Sequence, residues 1–268
     1  MARHDERGSS ASDTPQPGSE TAERLGISSR KVGLAPGSVV FTGTRHIERP
    51  IVSTITYSPE TVTEEHDVDP VDLRLPTGAE DGVHWVNVVG LHDTDLVTAI
   101  GEHYGLHPLL MEDVTAVRSR PAFVDYENHA FISLKMLSWS DDDGVDVEHI
   151  SLVMGDDYVL SFQERPGDVF EGVRNRIRTG TTRIRKRDSE YLWYALLDSV
   201  VDHYLIVIEE LAGRVDDLED RVWNQEEKNE IPSDVQALRA EMMLVRRALR
   251  PLRDEIEALA KEPPEWFS

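Results

Sequence analysis

The chain has 268 residues, enough for one large domain or two smaller ones, and 51 acidic residues against 28 basic ones give a formal net charge of −23. This charge argues against general nucleic-acid binding, because a surface that follows phosphates needs net positive charge, and it favours cations as partners. The absence of cysteine excludes disulfides, thiolate catalysis and cysteine-ligated zinc. The N-terminus lacks the apolar core of a secretory signal, and no window approaches the length of a membrane span, which predicts a soluble, cytoplasmic chain.

Residues 1–35 are rich in serine, proline, glycine and charge, which predicts a disordered N-terminal tail. The following segments are rich in β-branched residues and alternate in places, or form continuous apolar runs. Strands are therefore predicted at "SVVFTG" (38–43), "PIVSTITY" (50–57), "HWVNVVGL" (84–91) and "HAFISLKML" (129–137), with a hairpin over "HISLVMGDDYVLSFQE" (149–164).

Short helices are predicted between and after these strands. Thr94 is a candidate N-cap for the first, which Gly105 ends. His107-Pro108 opens a second, with proline at a favoured first position, and it carries Glu112 and Asp113. A third covers "DVFEGVRNRIR" (168–178). Strands followed by helices indicate an α/β sheet domain with helices packed against it.

From residue 189 the apolar residues follow a heptad pattern, which resumes after the polar segment "NQEEKNEIPSD". This predicts two long helices in an antiparallel hairpin over residues 189–262, and Ser233 with Gln236 forms a candidate capping box for the second. The expected buried face consists of Leu197, Val201, Tyr204, Ile208, Leu211, Val215, Leu218 and Val222 in the first helix and Leu238, Met242, Val245, Leu249, Leu252, Ile256 and Leu259 in the second.

Three carboxylates are candidate metal ligands. Glu112 and Asp113 suit a hard cation such as Mg²⁺, but adjacent helical residues point about 100° apart, so each needs a partner from another helix or another chain. The alternative is a solvated helix end. Asp198 is flanked by apolar residues, where a carboxylate is costly unless it is paired or hydrated. Its alternative is an exposed helix face.

Other charged patterns have weaker interpretations. The cluster "RNRIRTGTTRIRKR" (174–187) carries seven basic residues, which indicates either a phosphate-binding surface or pairing with nearby acids. His103 and His107 have the spacing of a zinc pair, but Gly105 and Pro108 interrupt the helix that such a pair requires. No phosphate-binding glycine loop, nucleophile elbow or acid–base pair is present in the sequence, so an enzyme is not expected.

Several motifs together resemble the cytoplasmic part of the CorA family of magnesium channels. They occur in order between about residues 31 and 266: "GLAPGSVVFTG", "HPLLMEDV", "RPAFVDYENHAFISLKML", "VLSFQERPGDVFEGVRNRIR", "EYLWYALLDSVVDHY" and "RALRPLRDEI". The resemblance implies a three-layer α/β/α domain with a mixed sheet over residues 36–188, followed by the antiparallel helical hairpin over 189–262. It also implies that the whole protein is a homopentamer of an inner or plasma membrane and that this part of it is cytoplasmic.

The resemblance further implies that Mg²⁺ bound between subunits holds the channel closed, so that the cytoplasmic domain is a sensor and transport is passive. The acid at the position of Asp113 would face a carboxylate of the next subunit's stalk helix. Acids at Glu112 and Asp198 would form a second site nearby. Co²⁺ and Ni²⁺ are possible substitutes for Mg²⁺, given oxygen and water ligands.

The sequence departs from the family pattern at its end. Residues 263–268 resemble a truncated start of the stalk, and the stalk, the membrane helices and their Gly-Met-Asn loop are not present. An isolated sensor domain of a longer protein is therefore expected, attached to a membrane only through those missing helices. Two alternatives stay open: a domain of a related zinc transporter, and a free-standing coiled-coil scaffold without a transport role.

Overall fold

The computed structural model describes residues 33–68, 82–126, 128–141, 144–180, 183–224, 230–262 and 264. Its strands are β1 Ile51–Tyr57, β2 Val62–Val68, β3 Val83–Val89, β4 Ala122–Tyr126, β5 His129–Ser140, β6 Gly144–Met154 and β7 Tyr158–Gln163. Its helices are α1 Thr94–His103, α2 Pro108–Thr115, α3 Glu171–Thr179, α4 Ser189–Trp223 and α5 Ile231–Lys261, with a 3₁₀ turn at Arg183–Lys186. The predicted tail and the final segment lie almost wholly outside the described residues.

The seven strands form one sheet in the order β2-β1-β3-β7-β6-β5-β4. All neighbouring strands are antiparallel except β3 and β7, which pair in parallel with His84 opposite Tyr158. Every residue of β3 is buried, because helices cover both faces of the sheet at its centre. The sheet is therefore mixed, as predicted.

The helices form a layer on each face of the sheet. Alternation along β5 directs Phe131 to one face and Ile132 to the other. Phe131 belongs to the apolar cluster that contains α1 and α2, and Ile132 belongs to the cluster that contains α3, α4 and α5. The three-layer architecture is thus confirmed. The division of the chain into domains at residue 189 stays a prediction, and the second cluster contains residues from both sides of it.

The buried face of α4 differs from the one that the heptad predicts. Tyr204 and Leu211 are buried as expected, but Ile208 is 41 % exposed and Val222 is 51 % exposed. Val207, beside Ile208, is instead only 1 % exposed, and Leu192, Leu196 and Val200 are also buried. The first half of α4 packs on the sheet rather than on one partner helix, so its apolar face is wider than a heptad seam and rotated from it. The prediction for Ile208 was wrong.

The second helix follows its heptad more closely. Leu238, Val245 and Leu252, spaced seven residues apart, are buried against α4 and the sheet, whereas Met242 and Ile256 are exposed. Arg214 of α4 donates two hydrogen bonds to Glu241 of α5, at 2.7 and 2.6 Å. The predicted antiparallel hairpin is therefore present, but fewer of the predicted apolar residues of α5 are buried against α4 than the heptad pattern indicates.

The segment predicted as a first strand, residues 38–43, is not part of the sheet. Its backbone runs over the end of α2 instead, where Thr42 N donates to the carbonyl of Thr115 at 3.2 Å. Two edge strands, β2 and β4, were not predicted. The sequence of β2, "VTEEHDV", is charged because β2 is an edge strand, and edge strands tolerate charged side chains. A search for apolar segments therefore does not find it.

Two predicted helix caps were also wrong by a few residues. Asp93, not Thr94, precedes α1 and accepts a hydrogen bond from Leu96 N at 3.0 Å. Glu230 precedes α5, so that Ser233 lies inside the helix and donates to the Glu230 carbonyl.

Helix α4 is long and apolar enough, by length and composition alone, to cross a membrane, although the sequence analysis predicts no membrane span. Its buried side chains pack on the sheet, as in the core helix of a globular domain.

Candidate metal centre

Helix α2 carries the first two candidate ligands. Pro108 occupies its first turn, and the Nδ1 atom of His107 accepts a hydrogen bond from Leu109 N at 3.2 Å. The buried side of the helix consists of Leu110, Met111, Val114 and Thr115. Helical periodicity then leaves Glu112 and Asp113 on the opposite side, where both are half-buried. The apolar anchor residues therefore determine where the two carboxylates lie.

Glu112 has a structural contact that the sequence did not predict. Its Oε2 atom accepts a hydrogen bond from the backbone N–H of Gly37 at 2.7 Å. Gly37 has a φ of +83°, and a side chain there would come within 3.0 Å of Pro108 Cβ. Glu112 thus anchors residues 33–43 over α2 in addition to any role towards a cation.

Asp113 lies near an edge of the sheet. Burial and the nearby Asp113 carboxylate raise the pKa of Tyr126, which ends the edge strand β4. The Tyr126 ring also stacks on His107, with 5.4 Å between the ring centroids. Asp113 is therefore close enough to Tyr126 for its charge to act on the phenol.

A half-buried lysine lies beneath this helix. The Nζ atom of Lys135, on β5, donates to the carbonyl of Val117 just beyond α2, and it lies 3.4 Å from Nδ1 of His149. Burial lowers the pKa of Lys135 to about 8, against the opposing effect of the Glu164 charge. Burial and Lys135 also lower the pKa of His149. These polar contacts tie the end of α2 to the sheet and fix the position of its carboxylates.

Asp198 lies on α4 and is half-buried. Because α4 packs on the opposite face of the sheet from α2, one chain does not bring Asp198 together with Glu112 and Asp113. Among the described residues, no group of three or more histidine or acidic side chains is arranged to hold a metal ion. The carboxylate oxygens of Glu112, Asp113 and Asp198 suit Mg²⁺, but the described part of one chain does not bring these three together.

The other charged patterns are largely structural. Arg174 and Arg178 of the basic cluster pair with acids, Arg174 with Asp168 and Glu171, and Arg178 with Glu64 and Glu171. His103 ends α1 and His107 caps α2, with a turn between them, so that no helical zinc pair exists. Pairing with neighbouring acids is one of the two interpretations that the sequence left open for the cluster.

The arrangement of sheet, helices and hairpin is found in two solved domains. The soluble domain of CorA from Methanocaldococcus jannaschii matches with a TM-score of 0.64 at 12 % identity, covering 84 % of each chain. The ZntB cytoplasmic domain from Vibrio parahaemolyticus matches with a TM-score of 0.59 at 13 % identity, covering 80 % of this chain and 83 % of that one. At these identities the likeness shows the fold alone.

Sequence comparison gives the family. The model of the family described as CorA-like Mg²⁺ transporter protein matches residues 80–268. The cobalt/magnesium transport protein CorA of Thermotoga maritima is 36 % identical over 237 residues, which cover 88 % of this chain and 67 % of that protein. The chain belongs to the CorA-like family of Mg²⁺ transporters, which are not enzymes, and it spans about two thirds of that relative's length.

Proposed function

We propose that the chain is the cytoplasmic, Mg²⁺-sensing regulatory domain of a CorA-type divalent cation channel. The observation that carries this proposal is the pair Glu112 and Asp113, half-buried on a helix whose other side is fixed in the core. Asp198, on the opposite layer, is the third candidate ligand. The family's transport of Mg²⁺ and Co²⁺ supports divalent cations as the partners.

The mechanism follows from the incomplete ligand set. Carboxylates that face one another across a subunit interface repel, and a divalent ion between them removes that repulsion and favours the closed assembly. The coupling is reciprocal: an ion that prefers the closed assembly must also stabilise it. When internal Mg²⁺ falls, the sites empty, and the subunits separate and the pore opens. In this proposal the assembly is a homopentamer, and membrane helices outside this chain conduct the ion passively.

Substitution Asp113→Ala in the full-length protein tests the sensor role. Removing one ligand is expected to raise the Mg²⁺ concentration that half-protects the protein from proteolysis by about tenfold, as is common when metal sites lose supporting groups. The measurement is limited proteolysis across a Mg²⁺ titration. Asp95→Ala is the matched control, because Asp95 is an exposed acid in the first turn of α1. Equal protection of the Asp113 variant and the wild type would contradict the assignment.

A related zinc transporter is the second candidate, because the motifs of the sequence leave it open, whereas the match to the ZntB cytoplasmic domain shows a shared fold alone. Oxygen ligands favour Mg²⁺, whereas zinc sites in proteins use nitrogen and sulfur as well. The same proteolysis assay with Zn²⁺ separates the two. Protection by micromolar Zn²⁺ with no response to Mg²⁺ would favour the zinc transporter.

A further inference from the structure

A small polar cavity of about 210 Å³ lies between the sheet and α3, far from the acids of α2 on the opposite face. Its walls come from β1, β2, β3 and α3, and its volume suits a compact ligand rather than a nucleotide. The lining residues are Ser53, Ile55, His66, Trp85, Asn87, Glu171, Arg174 and Arg178. The proposed sensor function uses none of them.

The floor of the cavity presents a fixed amide donor. Asn87 is only 8 % exposed, and its Oδ1 atom accepts hydrogen bonds from Ser161 Oγ at 2.6 Å and Gln163 Nε2 at 2.8 Å. These two bonds determine the orientation of the amide. Asn87 lines the cavity, and both of its printed hydrogen bonds involve Oδ1, so that its Nδ2 group is a candidate donor for a ligand there. The cavity therefore has a neutral donor on a residue whose orientation is fixed.

Two arginines line the wall opposite. Arg174 and Arg178 are one turn apart on α3, and Glu171 contacts both, at 3.7 and 2.6 Å. Arg174 is held by Asp168 and lies over the Trp85 ring at 5.0 Å, so its position is fixed. The Glu171 side chain is 60 % exposed, so it can leave without exposing apolar surface. Glu171 thus occupies the position between two guanidinium groups that an external anion would take, while Glu64 keeps its own contact with Arg178 Nε at 2.8 Å.

The surrounding charge is also unusual for this protein. Seven of its 28 basic residues lie within residues 174–187, although the net charge of the chain is −23. Arg185 donates from Nε to the carbonyl of Ile177 and from its guanidinium to that of Arg178, which attaches the 3₁₀ turn to the end of α3. The basic turn is therefore held beside the cavity, where its positive potential attracts anions.

We propose that this cavity binds a phosphate group, which displaces Glu171 from between Arg174 and Arg178 and accepts hydrogen bonds from the Asn87 amide. The guanidinium groups that Glu171 contacts now would donate to phosphate oxygens in its place, and the Asn87 amide supplies a neutral donor. The volume accepts inorganic phosphate or the phosphate end of a small metabolite. This proposal is independent of the Mg²⁺-sensing role.

Titration calorimetry of the 268-residue chain with inorganic phosphate tests the proposal, with Arg178→Gln compared against Arg176→Gln. The two variants remove the same charge from the same helix, but only Arg178 lines the cavity. We expect Arg178→Gln to weaken binding by about tenfold and Arg176→Gln by less than about twofold, as the loss of one charged hydrogen bond implies. Equal losses, or no binding to the wild type, would overturn the site.

A second variant tests the displacement of Glu171. Because Glu171→Gln removes the competing charge, it should tighten phosphate binding by about tenfold. The side-chain amide signal of Asn87 in the ¹H–¹⁵N spectrum, identified by its loss in Asn87→Asp, should shift on addition of phosphate. Acetate binding as tightly as phosphate, or an Asn87 signal that does not move, would refute the assignment of a phosphate site.

Discussion

A Val207→Asp substitution is expected to lower the free energy of unfolding by about 4 kcal/mol, because it places an unpaired charge in the core. Val207 is 1 % exposed and packs in the cluster that joins α4 to the sheet. A carboxylate there would lie in a cluster of apolar side chains. Urea unfolding, followed by circular dichroism, measures the loss.

The adjacent residue provides the control. Ile208 is 41 % exposed, and Ile208→Asp is expected to change the stability by less than about 0.5 kcal/mol, as is usual for surface substitutions. The heptad pattern predicts the reverse order, with Ile208 buried. Comparable losses in the two variants would show that the face of α4 described above is incorrect.

Asp168→Asn should destabilise the fold by about 3 kcal/mol at neutral pH, because it removes the buried charged partner of the Arg174 guanidinium and leaves only the exposed Glu171, 3.7 Å away. Asp168 accepts two hydrogen bonds from Arg174, at 2.7 and 2.5 Å, and its side chain is only 8 % exposed. Gln163 Nε2 and the backbone N–H of Phe170 also donate to it, both at 3.0 Å. Chemical denaturation at pH 7 measures the effect.

The same variant has a predicted pH dependence. Burial alone would raise the pKa of Asp168, but the hydrogen bonds and charge of Arg174, with those from Gln163 and Phe170, lower it below the usual value. A lowered carboxyl pKa contributes stability above the unfolded pKa, and this is lost as pH falls through the folded pKa. The difference between wild type and variant should therefore shrink in acid.

An exposed ion pair serves as the control for Asp168. Arg253 and Asp254 are 3.0 Å apart, but their side chains are 67 and 56 % exposed. Asp254→Asn should therefore cost less than about 0.5 kcal/mol at any pH, since exposed pairs contribute little. If Asp168→Asn lowers the free energy of unfolding by no more than Asp254→Asn does, the buried pair is not important for stability.

Much of the fold could be predicted from local pattern. The apolar run 84–91 predicts a strand that is covered on both faces, and β3 is that strand. The His107-Pro108 start of α2 and the hairpin turn at residues 155–157 are also local signals. The strand β2 was missed because Glu64, Glu65, His66 and Asp67 lie at a sheet edge, where pairing is decided by the neighbouring strand and not by hydrophobicity.

The candidate site was less accessible to prediction. Glu112 and Asp113 stand out as adjacent acids after an apolar run, but the contact of Glu112 with Gly37 joins residues 75 positions apart and leaves no pattern in the sequence. Asp198 was singled out by its apolar neighbours and assigned through family resemblance, and its role stays a prediction. The Asn87 amide was missed because its significance depends on Ser161 and Gln163, two strand residues distant in the chain.

The parallel pairing of β3 with β7 has a consequence for biosynthesis. His84 pairs with Tyr158, which is 74 residues later in the chain. The two central strands therefore cannot pair until that residue has been synthesised. At about 5–20 residues per second, a ribosome takes roughly 4 to 15 seconds to make that segment. During this delay the nascent β1–β2–β3 unit exposes the unpaired edge of the largely apolar strand β3, which is the kind of surface that chaperones bind. Slow elongation between these strands would therefore favour aggregation of the nascent chain over correct assembly.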